Sequence, residues 1–419
     1  MKLDIDKIEN FLLFSFFPLY MLHMFLGMLG INLFITTFLY IFSIYYGVKV
    51  SIISSNFKYF KFLFTGYIIY NVLSIIHYSF NGIPLSVFGT DFLNVVYPMI
   101  FFYIGLNSQK TDNRFYIGIL LGSLFCFIVG FYLHFSIPQW YLDWKVEQQN
   151  NMWSRKFGDV SEYGFLEMGR FSSFLASSYT TSTLSVIGLS ISINYLFRRK
   201  KFYTYFFIFI VSVLAMFISM QRVGILYGLF VISLYNLYGI FCKKKNIKRF
   251  LLLEIFVIVI CMVSLSMNNR NFQVFDAVSS KLTNTMIKDA FNERAGQYKN
   301  IMDNWKNYWF GDGLGSGGHA ALKEGFVAVA DGNYYKLLFE TGIFGFIWFA
   351  FLMILTILKA LKKYKYYSIE LLIVLYYLAA MLGANILEFR FAVIPLWYCI
   401  GRIWNDKYLN NIIINQDHI

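Results

Sequence analysis

Charge is scarce in this chain. Asp, Glu, Lys and Arg make up 14% of its 419 residues, while 58% are hydrophobic and 21% aromatic. A soluble domain is about 25% charged, so this composition excludes an ordinary cytosolic enzyme and a disordered chain, and lipid is the solvent that fits. Cysteine is scarce too: Cys126, Cys242, Cys261 and Cys399 stand far apart in or beside apolar runs, with no C-x-x-C pair. That spacing offers no thiol metal or redox site and leaves them as packing residues. His23, His77, His134 and His319 fall on one predicted side of the membrane, but no two have the helix-face spacing of a zinc site. No metal and no cofactor is expected.

What is abundant is apolar length. A membrane helix needs about 20 mostly apolar residues, and twelve runs qualify: roughly 11–28, 31–48, 59–79, 92–106, 115–135, 172–197, 202–219, 222–241, 250–267, 336–358, 368–384 and 389–404. The expectation is an all-α polytopic membrane protein. Its parts are five helices (1–135), a long outer loop (136–171), four helices (172–267), a second outer loop (268–335), and three helices with a cytoplasmic tail (336–419). Met1 to Asn10 carries three acids and two lysines before no small-residue cleavage site, which reads as a retained first helix.

The net charge of +13 would suggest nucleic acid as partner for a soluble protein. With twelve spans and both termini cytoplasmic, however, the inner segments hold 22 of the 36 basic residues and eight acids, +14 in all, against −1 outside. The charge is then an orientation signal, because Lys and Arg in short loops stay inside. Nucleic acid loses its motive, and the lipid bilayer is the expected partner.

Both long polar segments fall on the outer side, and their tryptophans argue against disorder. At 100° per residue from Phe291 to Phe310, the side chains of Phe291, Ala295, Tyr298, Met302, Trp305 and Trp309 lie within about 40° of one direction. The pattern predicts an amphipathic helix with an aromatic face, suited to lying on the bilayer or over a cavity. Arg294 breaks it by standing on the apolar side, either snorkelling to lipid headgroups or pointing into a ligand-filled cavity.

After this helix, Gly313, Gly315 and Gly318 formally match G-x-G-x-x-G, but a dinucleotide fingerprint needs a preceding strand and a βαβ unit, and nucleotides are scarce outside. A flexible turn that lets backbone approach a substrate is the better account. Asp331-Gly332-Asn333-Tyr334 then leads into a helix with Lys336 and Glu340 one turn apart, a spacing that reads first as an ion pair at the membrane edge.

Arg222 interrupts a run otherwise apolar from Phe206 to Leu234. Burying arginine at a helix centre costs about 2.5–3.5 kcal/mol, so it needs a partner or a ligand unless it is a plain outer-turn residue. Arg170 stands just before the sixth span, and Arg390 near the outer end of the last, beside Glu388, with which it can pair. Four arginines thus converge on the outer leaflet, and guanidinium forks match phosphate oxygens, which points to a phosphorylated lipid.

Three groups of residues together resemble a known family. They are Ser219-Met220-Gln221-Arg222; Glu293-Arg294 through Trp309-Phe310-Gly311-Asp312-Gly313-Leu314-Gly315; and Asn333-Tyr334 through Glu340-Thr341-Gly342-Ile343-Phe344-Gly345. In order and shared side they resemble the superfamily of O-antigen ligases and Wzy-type polysaccharide polymerases, over residues 165–358. The resemblance implies a GT-C-like fold in the bacterial inner membrane. It also implies an inverting, metal-independent glycosyl transfer at the periplasmic face from an undecaprenyl-pyrophosphate-linked glycan, with a chain-length regulator protein as a further partner. Arg170, Arg222, Arg294 and Arg390 would hold the pyrophosphate; Gly313, Gly315, Asn333, Tyr334 and Glu340 would line the substrate.

Where the ligases have a histidine before the matching asparagine, this chain has Gly332, so Asp331 or His319 would have to serve as base. That departure favours a polymerase of lipid-linked repeat units over a ligase that moves finished polymer to lipid A-core. A lipid-linked oligosaccharide flippase is the alternative of another class. It should show repeated halves and polar residues near the midplane, and neither is evident.

Overall fold

The structure is a computed structural model describing residues 5–31, 34–53, 58–77, 84–108, 113–145, 147, 170–175, 177–197, 202–242, 298–299, 301–318, 320–321, 324 and 332–405. Among the described residues there is no strand. The principal helices are α1 (Ile5–Met28), α2 (Ile35–Ile53), α3 (Lys58–Leu73), α4 (Leu85–Asp91), α5 (Tyr97–Asn107), α6 (Arg114–Ser136), α7 (Ser178–Phe197), α8 (Phe202–Ile218), α9 (Arg222–Cys242), α10 (Asn333–Lys362), α11 (Tyr364–Ala380) and α12 (Ile394–Ile403). A π-helical turn, Phe92–Val96, joins α4 to α5 just ahead of Pro98, which has no N–H to offer the preceding turn.

Six stretches are long and apolar enough to cross a membrane: Glu9–Met28, Ile35–Ile52, Tyr59–His77, Leu85–Asn107, Arg114–Ser136 and Asn333–Lys362. The protein is accordingly an α-helical polytopic membrane protein. Phe202–Ile218, Arg222–Leu237 and Tyr367–Ala380 are apolar but shorter, and the run 250–267 lies outside the described residues.

Two expected spans differ. The run 172–197 starts its helix only at Ser178, and α7 is buried at every position from Thr181 to Leu196, a core helix and not a lipid-facing one. The run 389–404 yields α12, ten residues and all buried. At 1.5 Å per residue α12 spans about 15 Å, half of a hydrocarbon core of about 30 Å.

Two compact units emerge, each discontinuous in sequence: residues 1–36 with 114–289, and residues 37–113 with 290–419. In the first, α1 lies against α6 so closely that a Cβ at Gly118 would collide with the Phe14 carbonyl. Such close backbone approach at small residues is how helices pack where water gives no driving force. α7 carries its polar groups the same economical way. The hydroxyls of Thr183, Ser185, Ser190 and Ser192 donate to the carbonyls of Tyr179, Ser182, Val186 and Leu189, one turn back on their own helix.

In the second unit α12 is locked to α5. A Cβ at Gly105 would strike the Tyr398 carbonyl, and one at Gly401 the Phe102 carbonyl. Phe60 stacks on Trp404 (3.7 Å) and Phe64 on Phe102 (4.0 Å) beside this crossing. Arg402 on α12 pairs with Glu370 on α11 at 3.1 Å, both buried. The first turn of α11 follows the end of α10, so this pair marks one end of the unit. The candidate site marks the other.

Candidate functional site

The site begins with a broken helix. Within α10, Gly342 has φ 66° and ψ −175°, which interrupts the helical hydrogen-bond ladder. Such a break orphans carbonyls before it and N–H groups after it, a costly state in apolar surroundings. The glycine turn supplies the missing partners. The N–H groups of Asp312 and Gly313 donate to the carbonyls of Phe339 (2.9 Å) and Glu340 (3.0 Å), while those of Ile343 and Phe344 donate to the carbonyls of Tyr308 (2.9 Å) and Trp309 (3.2 Å). Tyr70 on α3 donates its hydroxyl to the Thr341 carbonyl at 2.6 Å. Gly311, also at positive φ (79°), fits against Gly342 where any Cβ would strike backbone. The glycines thus let this backbone approach α10.

Beneath the turn sits a buried ion quartet. The Lys336 ammonium meets the carboxylates of Asp91 (3.1 Å, from α4), Glu340 (3.3 Å) and Glu388, and all four side chains are buried. The ammonium hydrogen-bonds to Asp91 and Glu388 and meets Glu340 as an ion pair. The Gly317 N–H donates to Glu340 Oε1 at 3.3 Å, and a Cβ at Gly318 would press into Asp91, Lys336 and Glu388. Ser74 accepts the Leu314 N–H at 3.0 Å on the same floor. Three carboxylates that could together hold a cation instead surround an ammonium; no metal-binding group of His, Cys, Asp or Glu occurs among the described residues.

The expected Lys336–Glu340 pair is therefore present within a larger cluster. Sequence reasoning missed Asp91 and Glu388 as its partners. The available signal was that each is an isolated acid in an apolar run, where a charge needs a partner.

The expected pairing of Arg390 with Glu388 is corrected: Glu388 turns to Lys336, and Arg390 donates through Nε to Asn94 Oδ1 (3.1 Å) and through its guanidinium to the Tyr40 hydroxyl. Asn333 and Tyr334 also have structural work. Asn333 Oδ1 accepts the Leu387 N–H at 2.7 Å, and the Tyr334 hydroxyl donates to the Leu378 carbonyl at 2.8 Å, tying the start of α10 to the end of α11 and to the turn Ile386–Glu388 beyond it. Gly313 and Gly315 are buried in the turn.

The amphipathic helix ends earlier than expected. Its described part covers 298–299 and 301–304, and the chain leaves the helix at Trp305. The reason is Asp312, whose buried carboxylate accepts the N–H groups of Lys306 (3.2 Å) and Asn307 (2.9 Å). Burial pushes the Asp312 carboxyl above its ordinary range, against the lowering pull of those N–H groups. Trp305 and Ile301 pack on Phe339, with Tyr298 stacked on Tyr335 at 3.8 Å. Met302 and Trp309, expected on the same face, are exposed.

Arg170 and Arg222 belong to the first unit. Arg222 is the exposed first residue of α9, and Arg170 is half-buried. Their neighbours are joined: the Phe171 N–H donates to the Ile218 carbonyl (3.2 Å), and Gln221 donates to the Ser178 hydroxyl (2.7 Å). Lys145 donates to the Arg170 carbonyl at 3.3 Å. Ser173 and Met220, both at positive φ, lie at these same corners. Arg294, His319 and Asp331 lie outside the described residues. The chain matches no family model, no curated protein and no solved structure.

Proposed function

We propose that this chain is a polymerase that joins undecaprenyl-pyrophosphate-linked oligosaccharide repeat units into an O-antigen or capsular chain. In this reading the chain crosses the bacterial inner membrane repeatedly with both termini cytoplasmic, and glycosyl transfer takes place at the periplasmic face. The observation that carries it is Arg222. It is exposed at the first residue of α9, where helix N–H groups favour anions, and forms no ion pair among the described residues. Arg170 stands on the segment tied to the end of α8, four residues before Arg222.

A pyrophosphate leaving group develops negative charge as the glycosidic bond breaks, and preoriented guanidinium groups stabilise that charge in place of a metal. Arg294 enters this proposal through the family resemblance alone. Inversion requires the acceptor hydroxyl to attack from the face opposite the leaving group, and Asp331 or His319 would take its proton.

Arg222→Ala and Arg294→Ala are expected to leave the protein in the membrane and abolish long polymer. Normal chain ladders from both variants would refute the reading. A deletion strain that still shows single-repeat surface lipopolysaccharide separates polymerase from ligase, whose loss leaves none.

A further inference from the structure

The break at Gly342 divides α10 into segments with different surroundings. From 343 to 362 there are twenty residues, about 30 Å of helix, which equals the thickness of a bilayer's hydrocarbon core. Along this length Phe344, Ile347, Phe351, Ile354, Leu358 and Leu361 form one continuous stripe, each between 47 and 59% exposed. Lys359 and Lys362 close its far end.

Before the break the stripe stops: Lys336, Leu337, Phe339, Glu340 and Thr341 are buried, and the exposed Tyr335 is stacked on Tyr298. At the break the stripe widens sideways. Tyr308, Trp309 and Phe310 are all about half-exposed, and the rings of Trp309 and Phe310 lie 5.5 and 5.4 Å from Phe344. Their backbone is fixed by the bonds that heal the break. Just before them in sequence Asp303, Asn304 and Lys306 are exposed, so a polar exposed segment adjoins the apolar ledge.

We propose that Tyr308, Trp309 and Phe310, with Phe344, form an aromatic wedge seated in the lipid interface at the Gly342 end of this span, and that the Lys336 quartet lies on the headgroup side of the hydrocarbon. Aromatic side chains with a polar edge concentrate at this depth. A span of 343–362 fills the hydrocarbon without needing residues 333–341. The partner is the bilayer itself, and the inference does not depend on the glycan chemistry proposed above.

The test replaces Trp309, Phe310, Ile354, Asp303 or Lys306, one at a time, with the photo-crosslinker p-benzoylphenylalanine in the full chain. The protein is reconstituted in phosphatidylethanolamine and phosphatidylglycerol vesicles, irradiated and weighed intact. Phospholipid adducts at 309, 310 and 354, with none at 303 or 306, are expected. Lipid adducts at 354 but not at 309 or 310 overturn the wedge, whether those positions stay unmodified or capture a second copy of the chain. Lipid adducts at 303 and 306 overturn the boundary, and failure at 354 overturns the span.

Discussion

α7 and α10 both carry polar side chains into apolar bodies, and they do so in opposite ways. Each α7 hydroxyl described above is satisfied by a carbonyl on its own preceding turn, so the helix brings its partners with it. The polar groups of α10 depend on distant chain: Lys336 on Asp91, 245 residues earlier, and on Glu388; the Gly342 break on the backbone of residues 308–313. A locally satisfied group can be removed with little consequence, because nothing else loses a partner. A group satisfied at long range holds its partners in debt, since removing it leaves them buried and unmatched.

Lys336→Met should break that contrast most sharply. Removing the ammonium leaves three carboxylates around a thioether, and breaking a buried ion cluster from one side costs about 3–5 kcal/mol. The expected result is a marked fall in the thermal midpoint of the detergent-purified protein, or loss of monodisperse protein altogether. A variant as stable as the parent would show that the quartet is incidental to the fold.

Gly342→Ala is expected to come next. Its positive φ and the collision of a Cβ with the Trp309 carbonyl and the Gly311 amide force the turn away from α10. Strain of this kind costs about 1–3 kcal/mol, and it should appear as new proteolysis between residues 305 and 318 together with a lower midpoint. Unchanged proteolysis would mean the turn does not depend on the break.

A paired test lies within the first unit. Ser190 donates to Val186, four residues back, whereas Ser173 donates to Cys126, 47 residues away on α6. The same chemical change to alanine should cost about 0.5 kcal/mol at 190 and about 1.5 kcal/mol at 173, spanning the usual range for a hydrogen bond. Equal costs, measured by denaturant or thermal unfolding, would remove the distinction between near and distant partners.

The same distinction explains what the sequence disclosed. Apolar runs marked α1, α2, α3 and α6 because hydropathy is local. They also suggested a span over 172–197, where α7 begins only at Ser178 and is buried, since a hydroxyl folded back on its own turn is as well suited to a protein core as to lipid. Lys336 and Glu340 were visible as an i,i+4 pair. Asp91 and Glu388 were not, because no periodicity links residues that far apart.

The helical wheel put Trp305 and Trp309 on one face by assuming the helix continued to Phe310. Asp312 captures the N–H groups of Lys306 and Asn307, and the Gly342 break captures the carbonyls of Tyr308 and Trp309, so the two rings part company. Likewise, sequence proximity paired Arg390 with Glu388 until a lysine 52 residues before Glu388 claimed the carboxylate.

Asp312 falls between the two regimes, and its predicted effect is the smallest. Its partners are five and six residues away, and its carboxylate is buried with its protonated form favoured. The folded state therefore binds a proton more tightly than the unfolded state, and over the window where the two differ the number of bound protons is greater in the folded chain. Stability then falls as pH rises, beginning near the ordinary value of 3.8 and ending above the raised folded value. Asp312→Asn keeps an oxygen for the Lys306 and Asn307 N–H groups but cannot titrate. As pH rises from about 4, the parent should lose thermal stability relative to this variant, by a shallow slope that other titrating groups share and the difference cancels. If the parent gains stability instead, the N–H groups outweigh burial, and Asp312 belongs with α7, satisfied by its own neighbourhood, and not with the quartet.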